Sequence, residues 1–295
     1  MPSKPPVWIR QILKNYRTPI DTWLRKFIAD RDGAPYWEPA LEALGGGHFG
    51  FAYRLHRQGK AMEGPATHLV FKVTRDPTEG PFCRWIQEEQ EKESMLFCGG
   101  FARMHDVRRL PHEIDWRGKQ WPCYIIVREE VEPVLGAGGY LPPGLGTVTR
   151  ALQMAGRALS TPRKRGRARL EMQMDSHGGM AFFGEPFFYG TRPARRLFDA
   201  EDVWNEALNR LGAYPGYEYV ADTFARILDE YGIHLQDVHL GNLGRRLVEQ
   251  GDEWSGVGTI VIFDPGHTPT NQGLPIERLA NPRRRGRAVP LLGAR

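Results

Sequence analysis

The chain has 295 residues, of which 41% are hydrophobic and 11% are aromatic, and it carries a formal net charge of +5. This composition excludes a wholly disordered chain and supplies enough apolar material for one large two-lobed domain or two smaller ones. No run of about 18 apolar residues occurs and the first residues lack the apolar segment of a secretory signal, so we expect a cytoplasmic protein without a membrane partner.

Residues 1–40 are predicted to form a helical extension. Apolar residues recur with helical spacing twice, first from Trp8 to Tyr16 and then from Ile20 to Ile28. Thr18 is a candidate cap for the second helix, with Pro19 at its first position. We expect the apolar stripe of this helix to pack against a lobe of the protein.

Residues 41–131 are predicted to form strands and one helix. Apolar residues alternate from Phe49 to Leu55, and His68–Thr74 is a second strand after a glycine-containing turn, which predicts a hairpin. Residues 82–97 are charged and predicted to be helical, and Tyr124–Val127 is a short apolar strand.

Residues 132–275 are predicted to be mainly helical, and the part at about 135–198, which is rich in Gly, Pro and Arg, is expected to be a long loop region or an insertion. Helices are expected at 200–211, capped by Asp199, and at 217–231, ended by Gly232. A strand is predicted at 258–263, and residues 276–295 are expected to form a flexible tail.

The positive charge is concentrated in two short runs, Arg163–Arg169 and Arg283–Arg287. Such runs bind the phosphates of nucleic acid or an acidic partner. The alternative is a solvated loop and tail, because neither run lies on a helical face with interleaved aromatic residues. The three cysteines, at 83, 98 and 123, have no C-x-x-C spacing and are predicted to be small core residues.

A glycine-rich segment, Leu44-Gly45-Gly46-Gly47-His48-Phe49-Gly50-Phe51-Ala52-Tyr53, lies at the start of the predicted hairpin. Glycines let a backbone approach phosphates and present N–H donors to them. A Rossmann phosphate loop would need a following helix and a later acidic residue, whereas this chain continues as a strand and carries Lys72. A purely structural turn is the other alternative.

Three further segments carry polar residues suited to phosphate chemistry. Lys72 ends the apolar strand that begins at Leu69, where an ammonium group is costly unless it meets an anion. Asp237-Val238-His239-Leu240-Gly241-Asn242 follows a predicted helix, and Asp264-Pro265-Gly266 follows a predicted strand. Each aspartate alone would also suit a turn. No cysteine or acidic cluster accompanies His239 at the spacing of a zinc site.

In this order, the segments resemble those of the protein-kinase-like superfamily. The glycine segment is similar to L-G-x-G-x-F-G-x-V-Y, Leu69–Lys72 to V-A-I-K, and Asp237–Asn242 to the D-L-H-x-G-N loop of aminoglycoside-phosphotransferase-like and other atypical kinases. The resemblance implies an α+β bilobal fold, with an antiparallel-sheet N-lobe at 41–131 and a reduced helical C-lobe at 132–275.

The resemblance also implies ATP as a cofactor, bound by Gly45, Gly47, Phe49, Gly50 and Lys72. In the family the lysine contacts the α- and β-phosphates and pairs with a helix glutamate. The spacing from the lysine to the predicted helix favours Glu91 for this role, and Glu88 and Glu93 are alternatives. The backbone near 128–131 would hold the adenine ring.

The remaining roles implied by the resemblance concern transfer of the γ-phosphate. Asp237 would accept the proton of the attacking hydroxyl, on a protein or a small-molecule acceptor, while Asn242 and Asp264 would bind Mg²⁺. These roles predict a phosphotransferase.

The chain departs from the family pattern at four places. Leu235 stands where the family has a histidine, Pro265 replaces the usual phenylalanine, and His239 stands where Ser/Thr protein kinases have a lysine. No A-P-E segment follows Gly266. Two alternatives are therefore a pseudokinase, which binds nucleotide without transfer, and a nucleic-acid-associated protein with a degenerate kinase core.

Overall fold

The structure is a computed structural model that describes residues 4–32, 38–47, 49–58, 67–116, 119–135, 141–160, 168–173, 195–233, 235, 237, 239–248 and 256–266. These residues form a mixed α+β protein with seven α-helices and a five-stranded antiparallel sheet, which confirms the predicted α+β class. The chain divides into two compact units, one of Met1–Gln87 with Arg103–Glu130 and the other of Glu88–Ala102 with Val131–Arg295. In the described part, no helix is both long and apolar enough to cross a membrane.

The first unit contains two helices and the five-stranded sheet. Its elements are α1 (Val7–Asn15), α2 (Arg17–Asp32), β1 (Glu38–Gly46), β2 (Gly50–Gln58), β3 (Leu69–Thr74), β4 (Met104–Trp116) and β5 (Lys119–Glu129). The strand order is β1-β2-β3-β5-β4. The predicted hairpin is confirmed, because β2 pairs with β3 in antiparallel register and Ala52 lies opposite Lys72. Helix α2 begins at Arg17, one residue before the predicted cap Thr18.

Helices α1 and α2 share a hydrophobic core with one face of this sheet. Ile12 and Leu24 on the helices belong to the same buried cluster as Leu69, Phe71 and Val73 on β3. Because side chains alternate along a strand, the odd-numbered residues of β3 face the helices and Lys72 faces the other side. The apolar stripe of the second N-terminal helix therefore packs against the body of the protein, as predicted, and the surface it meets is the five-stranded sheet.

The predicted helix at 82–97 is two helices instead of one. Helix α3 (Glu79–Glu91) begins earlier than expected, and α4 (Met95–Gly100) follows a break. Glu93 adopts a positive φ of 55°, which an α-helix does not accommodate, so the chain turns there. The buried Gln90 side chain donates hydrogen bonds to the carbonyls of Phe97 and Ala102, which fixes the turn between the two helices.

The second unit is built from helices and two small sheets. After α4 its elements are β6 (Val131–Pro133), α5 (Leu145–Ser160), β7 (Arg169–Gln173), β8 (Arg195–Asp199), α6 (Ala200–Gly212), α7 (Glu218–Tyr231), a short 3₁₀ helix (Leu240–Asn242), β9 (Leu243–Arg246) and β10 (Ile260–Ile262). The strands pair in the orders β10-β9-β6 and β7-β8. The predicted caps are confirmed: Asp199 accepts a hydrogen bond from the Glu201 N–H, and Gly232 ends α7 with a φ of 68°.

The predicted loop at 135–198 is wrong for its described parts. Helix α5 spans Leu145–Ser160, and β7 and β8 pair as antiparallel strands. Four apolar residues at helical spacing, Leu145, Val148, Leu152 and Ala155, are buried along one face of α5. The glycines and prolines on either side hid this pattern in the sequence. Most of the run Arg163–Arg169, all of Arg283–Arg287 and the tail at 276–295 lie outside the described residues.

Replacing Ile12 with Ala should lower the free energy of unfolding by about 2–5 kcal/mol, because it leaves a cavity between α1 and the sheet. The Val7→Ala variant is the matched control, since Val7 is 71% exposed on the same helix. Urea unfolding followed by tryptophan fluorescence measures both. Equal midpoints for the two variants would show that α1 does not contribute to this core.

Candidate functional site

The glycine segment forms the tight turn between β1 and β2. Gly45 has a φ of 140°, in the region that favours glycine, and the strand register shifts between Ala43 and Gly45. A Cβ on Gly46 would overlap the Gly50 carbonyl, and the Gly47 N–H donates to that same oxygen at 3.1 Å. A strand follows the glycines, so the Rossmann alternative is wrong. His48 lies outside the described residues.

Gly50 and Phe49 connect this turn to the rest of the first unit. A Cβ on Gly50 would lie 3.2 Å from Lys72 Cε and 2.8 Å from the Val73 carbonyl oxygen, so a larger residue would push the lysine or the strand aside. The Phe49 ring stacks on Trp121, with ring centroids 5.9 Å apart. Of the predicted glycine residues, Gly50 is therefore a neighbour of Lys72.

Lys72 pairs with Glu79, and the predicted pairing with Glu91 is wrong. Lys72 Nζ lies 2.5 Å from Glu79 Oε1, with side-chain exposures of only 12% and 5%. Glu91 is exposed at the opposite end of α3, roughly 18 Å away at 1.5 Å per residue. The alternatives Glu88 and Glu93 also lie far from the first turn of α3.

The first turn of α3 is held close to the sheet, and this places Glu79 against Lys72. A Cβ on Gly80 would overlap the ring of Tyr124 on β5, so only glycine allows this approach. Asp76 Oδ1 accepts hydrogen bonds from the N–H and the hydroxyl of Thr78, at 2.8 and 2.7 Å, which fixes the turn entering the helix. The sequence signal was present in Asp76-Pro77-Thr78, but the helix was predicted to begin at residue 82, which excluded Glu79.

Asp237, Asn242 and Asp264 lie together in the second unit. Asn242 Nδ2 donates to the Asp237 carbonyl at 2.6 Å, and the Asn242 carbonyl accepts from the Phe263 N–H at 3.0 Å. Asp264 Oδ1 accepts from the Gly266 N–H at 3.1 Å. Gly266 has a φ of 63°, and a Cβ there would lie 2.6 Å from Asp237 Cβ. Glycine at 266 therefore brings the two predicted motifs into contact.

His239 has a structural role at this site. Its Nδ1 accepts a hydrogen bond from the Gly241 N–H at 3.0 Å and so caps the 3₁₀ helix. Within the described ranges, no group of three or more His, Cys, Asp or Glu side chains could hold a metal ion, so nothing there supports a zinc site.

The donor set of Asn242 and Asp264 fits Mg²⁺ in the presence of a nucleotide. Asn242 uses its Nδ2 to donate a hydrogen bond to the Asp237 carbonyl. The Oδ1 of Asn242 is on the other side of the amide group and is an oxygen that can act as a metal ligand. Mg²⁺ prefers hard oxygen ligands and is usually held by one or two carboxylates together with waters and phosphates. Two protein ligands suit that pattern and do not form a closed metal cage.

Two residues that the sequence reading missed lie at Asp237. Arg157 Nη2 lies 3.1 Å from Asp237 Oδ1, and Gln153 Nε2 lies 3.4 Å from the same oxygen. Both are on α5, in the segment predicted to be a loop. The sequence did contain a signal for them: Gln153 and Arg157 are four residues apart and so lie on the same face of a helix whose apolar residues recur with helical spacing.

No protein-family model matches this chain, and no curated protein matches it. A functional conclusion therefore rests on the contacts described above. Leu235 is a buried hydrophobic residue with 1% exposure.

The alkaline stability of the first unit should depend on Tyr53, the last residue of the glycine segment. It is 5% exposed, its hydroxyl has no hydrogen-bond partner among the described residues, and burial raises its pKa to about 12. An unfolded tyrosine ionises near pH 10, so the stability contributed by the neutral Tyr53 hydroxyl is complete below about pH 10 and is lost as pH rises toward 12, by up to about 3 kcal/mol.

The Tyr53→Phe variant should lose less stability than the wild type between pH 10 and 12 and should be no less stable at pH 7. Unfolding free energies measured by urea titration across this pH range provide the comparison. Parallel pH profiles for the two proteins would contradict the prediction.

Proposed function

We propose that this protein is an ATP- and Mg²⁺-dependent phosphotransferase with a protein-kinase-like fold, in which the first unit is the N-lobe and the second a reduced C-lobe. The observation that carries the proposal is the nearly buried Lys72–Glu79 pair, with the lysine side chain beside Gly50 of a glycine turn. A glycine turn, a strand lysine and a helix glutamate are the elements by which kinases hold a triphosphate.

The first unit is assigned to nucleotide binding. Burying an ion pair costs desolvation energy that is often not recovered in stability, so the pair requires another explanation. Glu79 orients the Lys72 ammonium, and the lysine would contact the α- and β-phosphates of a bound nucleotide. The glycine turn gives these phosphates access to backbone N–H groups, since no Cβ intervenes.

The second unit is assigned to metal binding and proton transfer. Asn242 and Asp264 would hold Mg²⁺, which would neutralise phosphate charge when bound. Asp237 accepts the proton of the acceptor hydroxyl while the acceptor oxygen bonds to the γ-phosphorus. The bond from that phosphorus to the bridging oxygen breaks, and ADP leaves with the electron pair.

A second candidate function is nucleotide binding without transfer. The ion pair between Arg157 and Asp237 favours it, because a guanidinium at 3.1 Å competes with an acceptor hydroxyl for the carboxylate. This pseudokinase would bind Mg·ATP and show no turnover with any acceptor. The nucleic-acid-binding alternative stays a prediction, since it depends on basic runs that lie mostly outside the described residues.

The Asp264→Ala variant tests the metal role. We expect wild-type protein to bind ATP more tightly with Mg²⁺ than without it, and the variant to lose this difference because a carboxylate ligand is gone. Isothermal titration calorimetry with and without Mg²⁺ measures this and requires no acceptor. Mg²⁺-dependent binding of equal strength in both proteins would overturn the assignment of Asp264.

A matched pair of glutamate variants tests the nucleotide role of the first unit. Glu79→Gln should weaken Mg·ATP binding by about ten- to a hundredfold, because it removes the charge-assisted contact that orients Lys72. Glu91→Gln makes the same chemical change at an exposed position of the same helix and should leave binding unchanged. Melting temperatures check that both variants fold. Equal losses in the two variants would contradict the role of the Lys72–Glu79 pair.

A further inference from the structure

Helix α5 presents two polar side chains to the carboxylate of Asp237. Gln153 and Arg157 are one helical turn apart, and both donate to Oδ1. The contact is partly open to solvent, since 58% of the Arg157 side chain and 33% of the Asp237 side chain are exposed. A ligand arriving at Asp237 can therefore also reach the guanidinium.

Helix α5, which carries Gln153 and Arg157, is packed against its neighbours in the second unit. Leu145, Val148, Leu152 and Ala155 are buried on one side of α5, and α5 packs against α6. At the start of the helix, a Cβ on Gly146 would lie 3.6 Å from Leu240 of the 3₁₀ helix. Helix α5 thus lies close to Asp237 and Leu240, and its packing positions the backbone that carries Arg157.

Stability does not account for this ion pair. Partly exposed ion pairs contribute little to stability, so an arginine is not needed there to hold α5 in place. A guanidinium carries five N–H donors in a planar fork, so one group can bind a carboxylate and a second oxyanion at the same time. His239 caps the 3₁₀ helix through its Nδ1, and the cation that meets Asp237 is the Arg157 guanidinium.

We propose that Arg157, assisted by Gln153, forms an oxyanion site beside Asp237 that selects hydroxyl acceptors carrying a phosphate or carboxylate group. The inference rests on the proposed function, in which Asp237 receives the proton of the acceptor hydroxyl. It names the acceptor class: a compound with both a nucleophilic hydroxyl and an oxyanion.

The geometry limits how far apart these two groups can be. A hydroxyl bound to Asp237 lies about 2.7 Å from a carboxylate oxygen, and an oxyanion lies about 2.8 Å from a guanidinium nitrogen. For groups bound at Asp237 Oδ1 and Arg157 Nη2, which are 3.1 Å apart, the acceptor's hydroxyl and anionic oxygens are up to about 9 Å apart. This is the span of a sugar phosphate or a hydroxy acid.

The experiment uses inorganic phosphate as the probe and full-length protein saturated with Mg²⁺ and a non-hydrolysable ATP analogue. The analogue supplies the γ-phosphate, so phosphate binding then reports a separate oxyanion site. Calorimetry compares wild type, Arg157→Gln, Arg157→Lys and Arg226→Gln. Arg226 is the matched control, because it is 46% exposed and its guanidinium pairs with Glu230 at 3.1 Å elsewhere in the second unit.

We expect Arg157→Gln to weaken phosphate binding by at least about tenfold, Arg157→Lys to weaken it less because the charge remains without the fork, and Arg226→Gln to have no effect. All four proteins should keep the same ratio of affinities for the ATP analogue and ADP. Melting curves establish folding, and the lysine variant carries the test if the glutamine variant does not fold.

Three results would overturn the inference, and they differ from one another. Unchanged phosphate binding in Arg157→Gln would remove the oxyanion site while leaving the phosphotransferase proposal intact. A selective loss of affinity for the ATP analogue relative to ADP would assign Arg157 to the γ-phosphate of the nucleotide instead. A wild type that binds no Mg²⁺–nucleotide would reject the proposed function itself, and the inference with it.

Discussion

A buried ammonium group requires a counter-charge, and much of the first unit is arranged to give Lys72 one. The lysine lies on β3, beside Gly50, and its partner Glu79 must come from the first turn of α3. That turn reaches the sheet only because Gly80 has no side chain to collide with Tyr124. Substituting either glycine would therefore disturb an electrostatic contact and the packing around it together.

The alternation of β3 connects this polar face to the hydrophobic core. Phe71 and Val73 belong to the buried cluster that α1 and α2 complete, and Lys72 between them faces the other way. The N-terminal helices thus stabilise the strand that carries the lysine. One face of the sheet provides stability, and the opposite face positions the charged pair.

In the second unit, the carboxylates of Asp237 and Asp264 are positioned in a different way, by the close approach of two glycine-containing turns. Gly266 lies against Asp237, and Asn242 connects the two turns through hydrogen bonds to Asp237 and Phe263. The carboxylate of Asp237 then meets donors from α5, a helix distant in sequence. Because Arg157 is carried by a helix, the position of its backbone does not depend on the turns that hold Asp237.

The sequence by itself determined the features that depend on neighbouring residues. Alternation predicted the β2–β3 hairpin, and Asp199 and Gly232 predicted the ends of helices. The resemblance of the two late motifs to kinase segments predicted that Asp237, Asn242 and Asp264 lie together. Only the tertiary structure decided that Glu79 pairs with Lys72 and that Arg157 meets Asp237 across 80 positions. These pairs depend on where packed elements come close, at a glycine such as Gly80 or along a buried helix face, and periodicity carries no information about such contacts.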